Sequence, residues 1–408
     1  LTTGTEVRDR FTALWDSLAP IGRADDGGYR RLAWTDEDLA CRKWFRDQAA
    51  SRGLTLDEDA NGNQWAWWGA PQPGALVTGS HLDSVPGGGG FDGPLGVVSA
   101  FLAVDQLRDR GVRPSRSVAV TNFSDEEGGR WGLACVGSRL MTGQVDPETL
   151  LARRDAAGIT LSEARRRVGA PDGPVGPDPE RLARIGTFVE LHIEQGRGLV
   201  DLDVPVGVAS AVWPHGRWRL DFAGRGDHAG TTRLADRRDP VIPMAHAVLE
   251  ARAAAVAEGA LATVGRLEVT PGATNAIASH ATAWLDARAP GPDTVRRVVE
   301  RVASASERAA AGHAVSVGLL EESWSGGADF GAELRRRVAA AVAARLGSVE
   351  ELPTGAGHDA AILAAHVPAA MLFVRNPTGV SHDPAEHATT EDCVAGVEAL
   401  AAVLEDLL

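Results

Sequence analysis

Cysteine is scarce. Cys41, Cys135 and Cys393 are the three in 408 residues. They lie far apart and form no CxxC pair, so neither a disulfide framework nor a zinc ribbon is indicated, and a cytoplasmic location is expected. An excess of positive charge is also missing. With a net charge of -14 and arginines scattered among carboxylates, the chain has no basic stripe to hold phosphate, so no nucleic-acid partner is expected. No run of about 18 apolar residues occurs, which argues against a membrane helix. The start, LTTGTEVRDRFTALWDSLAP, lacks the charged-then-apolar order of a secretory leader, so none is expected.

What is present is an ordinary globular composition, 44% hydrophobic and 24% charged. The length exceeds what one core usually fills, which predicts two domains. Short apolar runs alternate with helical patterns: ALVTGS, SVAVTNF and TFVELHI read as strands, and GVVSAFLAVDQLRDR as a helix. That rhythm predicts an α/β fold, a mixed sheet with helices on both faces. From residue 211 the pattern shifts to GRWRLDFAG, a helix, ATVGRLEVT, HATAWLDAR, a second helix and HAVSVGLL. This reads as a smaller α+β unit of βαββαβ type. The alternation of the first part then resumes, so residues 1–210 and 325–408 form one discontinuous domain and 211–324 an insert. The Pro/Gly-rich stretch VGAPDGPVGPDPE reads as a surface connection between helices.

The segment GSHLDSVPGGGGFDG ends a buried strand with His81 and Asp83, then a glycine run that lets Asp92 turn back beside them. Open α/β sheets place their ligand sites at this carboxyl end. The next strand exit, NFSDEEGG, carries Asp125, Glu126 and Glu127, and VELHIEQG carries His192, Glu194 and Gln195. GVSHDPAEHA, after the strand PAAMLFVR, adds His382, whereas His387 reads as a surface histidine. Adjacent carboxylates repel one another, and a cation is the simplest way to keep them ionised together. Imidazole and carboxylate ligands without cysteine suit zinc, with manganese or cobalt as substitutes. Ligands of this kind that share one aspartate would hold two ions about 3.5–4 Å apart.

In order, GSHLDSVPGGGGFDGPLGV, SDEEGGRWG, GSRLMTG, LHIEQG, DHAGTT, RRDP, GATNAI, LDAR, GAGHDA and SHDPAEHA resemble the M20-type amidohydrolases. More narrowly, they resemble the branch of N-carbamoyl-L-amino-acid hydrolases, β-ureidopropionases and allantoate amidohydrolases. The histidine of LHIEQG stands where M20 peptidases carry an acidic ligand. The resemblance implies a catalytic domain with two divalent ions per subunit and an inserted lid and dimerisation domain. It implies that His81, Asp92 and His192 hold one ion and that Asp92, Glu127 and His382 hold the other. By the same resemblance Glu126 is the general base, Asp83 orients His81, and His228 reaches an active site across a homodimer to polarise the scissile carbonyl. Asn275 and Arg288 grip a substrate carboxylate, Gln195 binds the carbamoyl or amide end, and Gly357 lines the pocket.

The implied reaction is hydrolysis of the carbamoyl (ureido) or related amide bond of an N-carbamoyl or N-acyl L-amino acid by a metal-activated water. Allantoate amidohydrolase and N-acyl amino-acid amidohydrolase are the alternatives, and a non-catalytic metal-binding scaffold is a third. The sequence departs from relatives in VWPHGRWR, where Trp213 and His215 replace small and amide residues. It departs again at Arg233, where proline is usual, and in the tryptophans of NGNQWAWWG. These changes spare the metal ligands and the base but bear on the substrate. His215 is therefore a candidate substrate contact, and Trp65, Trp67, Trp68 and Trp213 either pack the interior or a dimer face or stack on a flat group.

Overall fold

The computed structural model describes residues 4–408. By contacts the chain divides into two compact units, one formed by the residues up to Ala211 together with Asp329–Leu408, the other by Val212–Ala328.

The first unit is built on a nine-stranded sheet. In spatial order its strands are Thr55–Glu58, Gln64–Trp68, Val118–Phe123, Ala75–His81, Ile185–Ile193, Ala369–Val374, Val206–Val212 and Ala328–Asp329. Glu350–Thr354 also pairs with Val206–Val212. The four middle strands, from Val118–Phe123 to Ala369–Val374, run parallel, and the pairings flanking them are antiparallel. Ala75–His81, Val118–Phe123 and Ala369–Val374 are buried along their whole length. That is why these segments are nearly continuous apolar runs rather than alternating ones.

Helices cover both faces. Leu76, Val118, Val120, Val189 and Leu191 point into a core shared with the helices Gly4–Leu18, Pro94–Asp109 and Thr390–Leu407. Strand residues of the opposite parity point the other way. There Phe123 stands edge-on to both Trp65 and Phe188, with ring centroids 5.8 and 5.7 Å away. Trp65 and Trp67 are thus interior residues, and Trp68, half-buried, lies under the Arg108 guanidinium at 4.9 Å. The helix Pro94–Asp109 is buried on nearly every side. It lies so close to the sheet that a Cβ at Gly96 would sit 2.2 Å from the Leu191 carbonyl oxygen.

The second unit is an antiparallel four-stranded sheet in the order Ser316–Ser325, His215–Ala223, His280–Arg288, Leu261–Thr270. With the helices Val241–Glu258 and Pro292–Gly312, its main elements follow the β-α-β-β-α-β order expected for the insert. Alternation along the strands explains its one-sided core. Trp218, Leu220, Phe222, Ala283, Leu285 and Ala287 pack under the two helices, while His215, Arg217, Asp286 and Arg288 lie on the other face. No helix among the described residues is long and apolar enough to cross a membrane.

The Gly96 contact generates a stability prediction. Gly96→Ala forces the helix off the sheet and is expected to cost about 1–3 kcal/mol in urea unfolding. Gly265→Ala, where a Cβ meets nothing within 4 Å, is expected to change stability little. Equal effects at the two positions would contradict the packing described.

Candidate metal centre

Each parallel strand delivers polar groups to the same carboxyl edge. His81 is the last residue of its strand, Glu126 and Glu127 follow Val118–Phe123, His192 precedes the end of Ile185–Ile193, and His382 lies beyond Ala369–Val374. Asp92 sits just before the helix Pro94–Asp109, whose cap, Gly93, has φ +86°. A Cβ on Gly93 would come within 2.3 Å of the His81 ring, so only glycine admits this approach.

Asp92 lies at the centre. Its Oδ1 is 3.2 Å from His192 Nε2 and 3.9 Å from His81 Nε2, whereas its Oδ2 is 3.4 Å from His382 Nε2. His382 Nε2 is also 3.4 Å from Glu127 Oε2. Two candidate ligand groups follow, His81–Asp92–His192 and Asp92–Glu127–His382, each with its donor atoms within 4.8 Å of one another. A third such group, Glu190–His192–His358, shares His192.

The donor set fits divalent cations. His192 Nδ1 lies 2.8 Å from the Ile193 carbonyl and His81 Nδ1 3.2 Å from the Asp83 carbonyl. In each ring the Nδ1 proton is thereby directed to a carbonyl, which leaves the Nε2 lone pair turned into the cluster. His81 Nε2 is buried without a hydrogen-bond partner. A buried nitrogen lone pair facing carboxylates is costly unless a proton or a cation lies between them.

The titration behaviour fits as well. Burial disfavours the charged form of His81, but Glu126, Asp83 and Glu127 outweigh it and hold the imidazole well above its usual range. His192 is raised in the same sense by Asp92 and Glu190 against burial. For Asp92 burial is overcome by His192, His81 and His382, and its carboxyl stays far below the ordinary range. Glu126 and Glu127 are pushed well up, chiefly by burial, and further by carboxylate neighbours that include Asp83. The cluster thus holds protons in the places where cations would sit.

Asp83 touches more than His81. Its two oxygens accept the backbone N–H groups of Glu126 and Glu127, each at 3.1 Å, and its Oδ1 is 3.4 Å from His81 Nδ1. One carboxylate therefore ties the first strand exit to the second. Glu126 Oε2 lies 3.7 Å from His81 Nε2, and its Oε1 accepts the Cys135 thiol at 3.3 Å. Gln195 donates to Asp92 Oδ2 at 2.8 Å and to Ser381 Oγ at 3.1 Å. Glu194 turns away and accepts from Gly198 and Leu199 at the start of the helix Gly198–Asp201. Asp125, buried with φ +53°, joins neither group, and His387 is exposed. Gly357 precedes the buried His358, whose ring stacks edge-on against His192 at 4.5 Å.

In the second unit the short strand Asp227–His228 pairs with Ala276–Ile277, which sets Asn275 beside the His228 loop, and Asn275 O accepts from Ala229 N at 3.0 Å. His228 Nδ1 accepts from the N–H groups of Gly230 and Thr231 at 3.0 and 3.2 Å. This fixes the proton on Nε2 and leaves it as a donor. Arg288 is held by a two-point pair to Asp286 at 2.7 and 3.0 Å. His215 stands opposite Arg288 on the neighbouring strand, with its Nδ1 2.9 Å from Trp213 O.

The family model described as Peptidase family M20/M25/M40 matches residues 77–406. The chain belongs to this family. It is 36% identical to an N-carbamoyl-L-amino acid amidohydrolase of Geobacillus stearothermophilus, over 95% of this chain and 96% of that one. It is 30% identical to an allantoate amidohydrolase of Escherichia coli (strain K12), over 99% and 98%. A crystal structure of an amidase of the hydantoinase/carbamoylase family from Burkholderia vietnamiensis superposes with a TM-score of 0.89 at 32% identity, covering 97% of each chain. The protein is thus an enzyme, a hydrolase of the amidohydrolase branch.

Sequence reasoning missed Cys135, the thiol on Glu126, and Glu386, whose carboxylate accepts the backbone N–H groups of Phe91 and Asp92 at 3.1 and 3.0 Å. Burial and the charge of Asp92 push the Glu386 carboxyl up to about 8. Its signals were the glycine run, since a Cβ on Gly89 would lie 2.3 Å from Glu386 Oε1, and its place inside the motif SHDPAEHA.

A pH dependence of metal uptake follows. In the metal-free protein His81, His192, Glu126 and Glu127 all bind protons more tightly than free side chains do, and a cation must expel some of them. Apparent affinity for Mn²⁺, measured by competition with a chromophoric chelator, is expected to weaken steadily as pH falls from about 8 to about 6. A flat profile across that interval would contradict the assignment.

Proposed function

We propose that the protein hydrolyses the carbamoyl (ureido) or related amide bond of an N-carbamoyl or N-acyl L-amino acid with two divalent cations, zinc in the first instance and manganese or cobalt as substitutes. The observation that carries the reading is the division of Asp92, one oxygen facing His81 and His192, the other facing His382 near Glu127. In this reading His81, Asp92 and His192 hold one cation and Asp92, Glu127 and His382 the other. Cations bound there polarise the scissile carbonyl and acidify water.

The chain's own groups do the rest. Glu126 is buried beside the cluster with its affinity for a proton raised, which suits a group that takes a proton from water and hands it to the departing nitrogen. Asp83 holds the backbone on which Glu126 and Glu127 stand. His228, with its Nδ1 occupied by backbone N–H groups, donates from Nε2 to the carbonyl oxygen as charge develops there. Arg288 and Asn275 take the carboxylate of the amino-acid part, Arg288 as a planar fork oriented by Asp286. Gln195, Gly357 and His215 complete the substrate contacts. With a carbamoyl group, the released carbamate decomposes to carbon dioxide and ammonia.

A homodimer through the second unit, in the cytoplasm, belongs to the same reading. Its support is an exposed apolar stripe on the helix Val241–Glu258, with Ile242 38%, Leu249 72% and Val256 76% exposed, beside the edge strand that carries Leu261 and Leu267. Allantoate is the second substrate reading, favoured by the Escherichia coli relative.

Glu126→Gln is expected to lower kcat by about 10²–10⁴ while metal content, read by elemental analysis, stays at the wild-type level; retained activity would remove Glu126 from the base role. Ammonia and free amine should both appear from N-carbamoyl amino acids. Release of ammonia from allantoate alone would move the reading to the second substrate. Mixing inactive His228→Ala and Glu126→Gln chains is expected to restore part of the activity, because one site in such a hybrid has both groups intact. No recovery would show that each chain completes its own site.

A further inference from the structure

The loop that carries Asp92 and the loop that carries His382 are far apart in sequence, and nothing in their own backbones fixes the distance between them. Glu386 does. It is 4% exposed, and its Oε1 receives two backbone N–H groups at once, Phe91 at 3.1 Å and Asp92 at 3.0 Å. These N–H groups belong to the turn just before the helix Pro94–Asp109, where the backbone has no helical partner to bond. On the other side Glu386 closes a short turn of its own, donating its N–H to the Asp383 carbonyl at 3.0 Å, next to His382 with its φ of +59°. Gly89 leaves no room between the two loops. Its missing Cβ would meet the Cβ of Glu386 at 2.5 Å and Oε1 at 2.3 Å.

We infer that Glu386 is a positioning residue: its carboxylate clamps the Phe91–Asp92 backbone to the His382 loop and so sets the place of the carboxylate shared between the two cation sites. It is in none of the candidate ligand groups. The inference rests on the reading in which Asp92 serves both cations, and it adds a residue that controls how Asp92 is presented. Outer groups that orient metal ligands typically contribute about 10–100-fold in metal affinity.

The test uses the full chain as wild type, Glu386→Ala and Glu386→Gln, each stripped of metal and titrated with Mn²⁺. Hydrogen exchange of the Phe91 and Asp92 amides is read in the metal-free protein. In Glu386→Ala those amides are expected to exchange about tenfold faster, in line with the loss of a buried hydrogen-bond acceptor. Mn²⁺ affinity is expected to fall about 10–100-fold. Glu386→Gln keeps an oxygen that can accept both bonds and is expected to stay near wild type in both readouts. Unchanged protection or affinity in Glu386→Ala would overturn the inference. So would a Gln variant as impaired as Ala, or an acceleration that extends equally to the Val118–Phe123 strand. If the wild type takes up no Mn²⁺, the metal reading fails by itself, and the exchange data still decide whether the clamp exists.

Discussion

Carboxylates crowded together out of water are the constraint on which this structure turns. Asp92, Glu126 and Glu127 converge at one sheet edge, and Asp83 lies directly beneath them. Isolated there, each would lose its charge. The histidines relieve the repulsion by holding protons above their usual range, while Asp92, facing three of them, stays ionised. A site that draws protons onto His81 and His192 offers the same nitrogens to a divalent cation once those protons leave. The direction of every shift therefore describes one property, a surplus of buried negative charge shaped to be neutralised from within.

Such a cluster persists only if the backbone is held from outside it. Parallel strands supply the common edge, and the largely buried helix Pro94–Asp109 brings Asp92 back to it over Gly93 and Gly96. Two carboxylates then act on the backbone rather than on any cation. Asp83 fastens the Glu126–Glu127 turn to the His81 strand exit, and Glu386 fastens the Asp92 turn to the His382 loop. Asp125, Cys135 and His382 adopt left-handed conformations, with φ of +53°, +56° and +59°. Non-glycine residues hold this region at some cost, and these three of the six such residues described flank the site, where its surroundings over-determine the backbone.

This distribution explains what could be read from the sequence. The candidate ligands His81, Glu127, His192 and His382 were legible because they lie at or beyond the ends of continuous apolar strands, and period and burial place such ends on one edge. The insert was legible because the alternation in GRWRLDFAG and HATAWLDAR marks a half-covered antiparallel sheet, unlike the unbroken runs before it. Glu386 was not, because its partners are main-chain N–H groups nearly the whole chain away and leave no trace in local pattern. Nor was the double role of Asp83: a carboxylate two residues past a histidine suggests support for that ring, and only the fold shows its oxygens also reaching the next strand exit. In the antiparallel edge formed by Thr55–Glu58 and Gln64–Trp68 the tryptophans left packing and ligand stacking open in the sequence; Trp65 and Trp67 are buried in the interior, and Trp68 packs under Arg108.

The polar face of the second unit obeys a different logic. Its charges are arranged in rungs, with His215 between Arg288 and Ser325, and Arg217 between Asp286 and Ser323 on the next. Directly opposed residues on one face of an antiparallel sheet lie within reach of each other, so a change at one position alters the field felt by its neighbours without disturbing the core beneath. Asp286 remains ionised through its pairing with Arg288, helped by Arg217 and His215, against the cost of burial. The guanidinium is therefore kept in a fixed plane beside His215 on the neighbouring strand. In the proposed reading the candidate cation ligands are held by backbone clamps in one unit and the candidate substrate contacts stand on a sheet face of the other, so the second can vary without perturbing the first. Trp213, His215 and Arg233 fall in the second unit and the tryptophans of NGNQWAWWG in the first, and none of them is a candidate ligand or Glu126.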